Sequence, residues 1–133
     1  MTESAVQQHF MTLYYPGSFF AETSSVPVDN WDLTSALRKI RQDHNKGGWR
    51  PWAFSFTTRG RSAEELDSKV TETSGTYFLG GEIFSFEQIE AMGKGWETLL
   101  SNMKNNKYDH VIRTSAGSYQ PFNVGEDVLL EWS

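Results

Sequence analysis

Seven basic residues fall between Arg38 and Arg61 (Arg38, Lys39, Arg41, Lys46, Arg50, Arg59 and Arg61), and Asp43 is the one acid among them. The chain has 133 residues and a net charge of -5, yet this block alone carries +6 and the remainder -11. Guanidinium groups offer fixed hydrogen-bond forks that match the oxygens of a phosphate. Aromatic residues lie in or beside the block: Tyr14, Tyr15, Phe19, Phe20, Trp49 and Trp52. A base stacked on such a ring gains about 1 to 3 kcal/mol. The combination predicts a nucleotide or anion site in which Arg50, Arg59 or Arg61 grips phosphate and Tyr15, Phe19 or Trp49 stacks on a base. Asn102, with Ser101 and Gln120, supplies neutral hydrogen-bonding groups. The plain alternative is a solvated helix face followed by a charged loop, with Trp52, Phe54 and Phe56 filling a core.

Other residues of reactive type lack the spacing that chemistry needs. His9, His44 and His110 stand far apart, with no His-x-His or His-Glu-x-x-His pattern, and cysteine is absent. No metal site, thiolate nucleophile or disulfide is expected. Asp109 and His110 are adjacent, and adjacent residues on a strand point to opposite faces, which removes the simplest dyad geometry. Glu87 and Glu90, three apart on a short helix, read as solvated carboxylates. Gly80-Gly81 and Gly93-Lys94-Gly95 lack the Gly-x-x-x-x-Gly-Lys-Ser/Thr spacing of a phosphate loop and serve as turn and helix breaker. The expectation is a binding protein without catalytic residues, metal or cofactor. Its acidic balance argues against general nucleic-acid binding. The N-terminus shows no signal-peptide pattern, and no apolar run approaches the roughly 20 residues that span a bilayer. A soluble protein of the cytoplasm is expected.

The elements that must position these residues follow from pattern and punctuation. A single α+β domain over residues 1–133 is expected: a mainly antiparallel twisted sheet packed by one longer helix and two short ones. Residues 1–9 are polar and form an arm or short helix. Phe10 to Tyr15 reads as a strand stopped by Pro16-Gly17, followed by a loop carrying Phe19 and Phe20. Leu33, Ala36, Leu37, Ile40 and His44 repeat at helical spacing, so a helix spans about 30–46, capped by Asp29 or Asn30 and ended at Gly47-Gly48. Pro51 to Thr58 alternates as a strand, closed by Arg59-Gly60-Arg61 as a loop, and Lys69 to Thr73 is a further strand interrupted at Ser74-Gly75. Gly80-Gly81 predicts a two-residue hairpin between Thr76 to Leu79 and Glu82 to Phe84. Ser85 and Gln88 form a capping box for a helix over about 86–91, and Leu99, Leu100 and Met103 line one over about 97–105. His110 to Thr114 and Ser118 to Phe122 make a hairpin around Ala116-Gly117, and Asp127 to Trp132 is a last strand.

The Gly-Gly turn, the capped helix, Leu99-Leu100-Ser101-Asn102-Met103, Asp109-His110-Val111-Ile112 and Gly117-Ser118-Tyr119-Gln120-Pro121-Phe122 together resemble a family of small accessory proteins carried by bacteriophages and prophages, whose function is uncharacterised. The resemblance covers residues 77–122 and supplies no catalytic residues. It implies a counter-defence protein of the host cell cytoplasm. Two readings of its action follow: a sponge that sequesters a nucleotide-type immune signal, helped by a homo-oligomer that closes the pocket, or an anti-CRISPR-like inhibitor that docks on a host defence protein through exposed aromatics and acidic surface.

Overall fold

The alternation of Met11 and Leu13 with Phe10, Thr12 and Tyr14 gives the first strand an apolar face, and the chain builds its first sheet on it. The computed structural model describes residues 6–17, 22–61 and 69–132, with the side chains of Val6, Arg61, Lys69 and Thr71 excepted. Of the expected arm or short helix over residues 1–9, residues 1–5 lie outside the described residues, as do Phe19 and Phe20, whereas Val6 to His9 are neither arm nor helix but the start of the first strand, paired with Arg61 to Thr58. Two compact units form, Met1–Gly75 and Thr76–Ser133. Both mix strand and helix, and antiparallel pairing predominates, so the α+β class is observed.

In the first unit, β1 (Val6–Tyr15) lies between β2 (Glu22–Val28) and β3 (Ala53–Arg61), antiparallel to both. On its far side β3 pairs with β4 (Lys69–Thr73), also antiparallel, with a register shift between Thr58 and Arg59. Met11 stands opposite Phe56 and Leu13 opposite Phe54, so four apolar side chains share one face. All four are buried, each stabilising the fold by roughly 1.5 to 3 kcal/mol. The helix α1 (Leu33–Asn45) buries Ala36 and Ile40, and Ala36 shares the lining of a small cleft with Met11 and Phe56. Trp31, just before the helix, stacks on Phe56 at 6.0 Å between ring centroids.

Three details of this unit depart from the sequence reading. Residues 22–28 form a strand where a loop is expected, because the pairing of β1 overrides a polar sequence containing Pro27. Asp32 holds the N-cap position of α1, not Asp29 or Asn30. Arg59, Gly60 and Arg61 extend β3 and do not close it, since Gln8, Gln7 and Val6 of β1 continue the ladder beside them.

The second unit contains β5 (Tyr77–Leu79), β6 (Gly81–Ser85), α2 (Phe86–Glu90), α3 (Glu97–Asn105), β7 (His110–Thr114), β8 (Tyr119–Phe122) and β9 (Val128–Leu130). The expected Gly-Gly hairpin does not form: β5 runs parallel to β9, whereas β6 pairs with β7 in a separate antiparallel sheet, β6-β7-β8. Gly80 donates its N–H to the Leu130 carbonyl at 2.9 Å, which prolongs the ladder of β5. Gly81 then turns at φ 136, with its α-carbon so close to β7 that a Cβ would meet the Arg113 carbonyl oxygen at 2.6 Å. The two glycines carry the chain from one sheet into the other. The capping box is as expected, with Ser85 Oγ accepting from Gln88 N at 3.2 Å and Gln88 Oε1 accepting from Ser85 N at 2.8 Å. Ile89, Met103 and Val111 form a fully buried cluster, surrounded by Phe84, Trp96, Leu100 and Tyr119 among others.

Candidate functional site

Tyr15, the last residue of β1, stands directly opposite Glu22, the first of β2. Residues opposed in this way project from the same face, with Cβ atoms about 4.5 to 5.5 Å apart. Trp49 reaches the same place from the loop after α1. That loop is folded back on the helix end: Gly47 N donates to His44 O at 3.0 Å, Gly48 N to Asp43 O at 3.0 Å, and His44 Nδ1 lies 3.0 Å from Gly48 O. Any side chain at Gly48 would meet the Asp43 carbonyl at 2.7 Å, so glycine is what permits so tight a return. Beyond the loop, Trp52 N donates to Tyr14 O at 2.8 Å, tying the chain back to the end of β1.

The result is a cleft of about 540 Å³ lined by Tyr15, Pro16, Gly17, Glu22 and Trp49. Its volume lies within the roughly 300 to 1,000 Å³ of small-molecule sites. Trp49 is 80% exposed, although a free indole gains by burial. Burial, and next the Asp43 carboxylate on α1, push the Tyr15 phenol above its ordinary range. Asp43 itself faces Lys39 at 3.8 Å on the open surface, a pairing of small energetic weight.

The structure brings together Tyr15 and Trp49 of the expected site residues. Phe19 lies outside the described residues. Arg50 follows Trp49 directly and is half-buried, and burial lowers the pKa of its guanidinium. Arg59 lies at the other end of β3, opposite Gln8, with its guanidinium carbon 5.6 Å from the centre of the Phe10 ring. It stands six residue steps along the strand from Ala53, about 20 Å at 3.3 Å per step. Arg61 is further along, its backbone opposite Val6. Arg59 and Arg61 thus do not share the Tyr15 and Trp49 cleft. Asn102 belongs to the second unit, where its side-chain oxygen accepts from Asn106 Nδ2 at the end of α3. Glu22 was not singled out by sequence, because a polar stretch after the Pro16-Gly17 turn gives no strand signal; its register opposite Tyr15 is what makes it a wall of the cleft.

The second unit holds a contact that sequence reasoning excluded. Asp109 Oδ1 accepts a hydrogen bond from His110 Nδ1 at 3.0 Å. Strand alternation does not apply, because β7 begins at His110 and Asp109 precedes it, with its carboxylate also accepting from Val124 N at 3.1 Å. Ser85 stands across from His110 in the β6 and β7 register, and its hydroxyl oxygen caps α2. Among the described residues no group of three His, Asp or Glu side chains is placed to hold a metal ion. None of the described helices is long and apolar enough to cross a membrane.

Comparison with protein-family models, curated proteins and solved structures gives no match for this chain.

Proposed function

We propose that this protein is a non-enzymatic binding module whose Tyr15 and Trp49 cleft takes the flat ring of a nucleotide-type small molecule. The observation that carries the reading is Trp49: a large aromatic side chain, 80% exposed, held by a glycine-shaped loop at the wall of a 540 Å³ cleft that a second aromatic residue, Tyr15, also lines. Stacking on such a wall gains about 1 to 3 kcal/mol per base. Glu22 adds an acceptor for the hydroxyls of a ribose or the amine of a base. Arg50, beside Trp49, is the arginine nearest in sequence to receive a phosphate, so the phosphate role narrows to it. In the phage setting that the sequence resemblance implies, such a module sequesters an immune nucleotide signal in the cytoplasm of the infected cell. A second copy of the chain over the open side of the cleft would lengthen retention.

Isothermal titration with a panel of cyclic and ADP-ribose-type nucleotides tests this. Binding is expected for the natural chain and its loss for Trp49→Ala, with thermal stability unchanged. A second reading rests on the same exposure: Trp49 is also a suitable anchor for a protein surface. An absence of heat across the panel, together with co-purification of a host complex that Trp49→Ala abolishes, would favour the protein-inhibitor reading.

A further inference from the structure

The lining of the cleft is unsuited to the part of a nucleotide that carries negative charge. Glu22 places a carboxylate opposite Tyr15, and among the described lining residues none is basic. Asp43 adds a second carboxylate close enough to influence the Tyr15 phenol, with Lys39 3.8 Å away on its own helix, and both Glu22 and Asp43 are exposed. A phosphate placed between Tyr15 and Trp49 would meet repulsion from these carboxylates. A neutral ring would gain stacking alone. A positively charged ring gains stacking, the attraction of a cation to the aromatic faces, and the attraction of the Glu22 carboxylate.

We infer that the ring bound against Tyr15 and Trp49 is cationic: an N7-alkylated purine nucleoside or a pyridinium nucleoside, with any phosphate left outside at the mouth of the cleft. The inference rests on the nucleotide-type reading above and specifies the charge of the ring. Glu22 is its specificity-determining residue. Trp49 supplies affinity for ring systems in general, whereas Glu22 selects the charged member of a pair of equal shape.

The test is isothermal titration of the full chain with matched pairs: nicotinamide riboside against its dihydro form, and N7-methylguanosine against guanosine. In each pair the cationic member is expected to bind at least about ten-fold more tightly. Glu22→Gln is expected to bring the two members to within about three-fold by weakening the cation and sparing the neutral ring. Because Glu22 is exposed, this variant retains its fold, which circular dichroism and the thermal midpoint verify. Equal or tighter binding of the neutral members by the natural chain overturns the inference and leaves the nucleotide-type reading standing. Cation preference that survives Glu22→Gln also overturns it. Silence from all four nucleosides and from the nucleotide panel removes both.

Discussion

Asp109 accepts a hydrogen bond from the side chain of its own chain neighbour, His110, over 3.0 Å. The same carboxylate oxygen accepts from Val124 N at 3.1 Å, and Asp109 N donates to Asn123 Oδ1 at 3.1 Å. One step further, Asp127 takes the N–H of Asn123 at 2.7 Å and that of Thr76 at 3.0 Å. Two aspartates thereby fasten the start of β7, the turn at 123–127 and the approach to β5 within the second unit. Here carboxylates replace the ladder bonds that a turn cannot make.

This arrangement makes stability depend on pH in a defined direction. The His110 hydrogen bond, followed by the Val124 N–H and the His110 charge, holds the Asp109 carboxyl below its ordinary range. A carboxyl whose folded pKa is lowered stabilises the fold above its unfolded value of about 3.9 and loses that contribution as pH falls through the folded value. Asp109→Asn is expected to destabilise by about 0.5 to 1 kcal/mol at neutral pH, at the lower end for a half-exposed group. Urea midpoints of both proteins check this. Their separation should narrow in acid, and a constant separation would count against the account.

The crossing from β5 to β6 predicts unequal sensitivity of two glycines with positive φ. Gly117, at φ 87, has nothing within 4 Å of an added Cβ, so Gly117→Ala meets only backbone strain of about 1 kcal/mol. Gly81, at φ 136, would press its Cβ on the Arg113 carbonyl at 2.6 Å and on Ile112 at 3.2 Å. Gly81→Ala is expected to cost about 3 kcal/mol or more, because β6 must shift on β7. Thermal unfolding of the two variants should rank them in that order.

The Ser85 cap offers a third check. Its hydroxyl satisfies Gln88 N, while Gln88 returns the bond to Ser85 N. Ser85→Ala should destabilise by about 0.5 to 2 kcal/mol, and Gln88→Ala by less, since only a side-chain acceptor for an exposed N–H is lost. Denaturant titration distinguishes them. Equal effects would mean that the reciprocal bond, not the N-cap, holds the start of α2.

Local signals made much of this fold legible. The apolar period of α1, the Ser85 and Gln88 box, the aromatic content of Phe10 to Tyr15 and the alternation through Trp52, Phe54 and Phe56 are each written within a few residues, and an element forms at each, although β1 starts earlier, at Val6, and β3 runs on to Arg61. What depended on distant partners was not legible. Residues 22–28 become a strand because β1 offers them a ladder, and Gly80-Gly81 sends the chain into a second sheet because Leu130 and Arg113 receive its two sides. The same limit governed the site. Tyr15 and Trp49 were visible as aromatic residues near turns, whereas Glu22 gains its role only through its register opposite Tyr15. The basic block, contiguous in sequence, is divided among α1, the loop after it and the far end of β3, so contiguity there did not become proximity.

The Tyr15 phenol provides a spectroscopic handle on that site. Burial first, and then the Asp43 carboxylate, raise its pKa above the ordinary value of about 10. An acid with a raised folded pKa keeps its stabilising contribution below the unfolded value and loses it as pH rises through the folded one, so the effect belongs to alkaline solution. Ultraviolet absorbance of phenolate, taken as the difference between the natural chain and Tyr15→Phe, isolates this residue from the other tyrosines. Asp43→Asn should move the midpoint down only part of the way, because burial is the larger cause. A complete return to the ordinary value would make Asp43 the dominant influence. A ligand that fills the cleft should raise the midpoint if it is neutral, by excluding water from the phenol, and lower it if it is a cation, by stabilising the phenolate. The direction of the shift on binding therefore reports the charge of the bound ring independently of affinity.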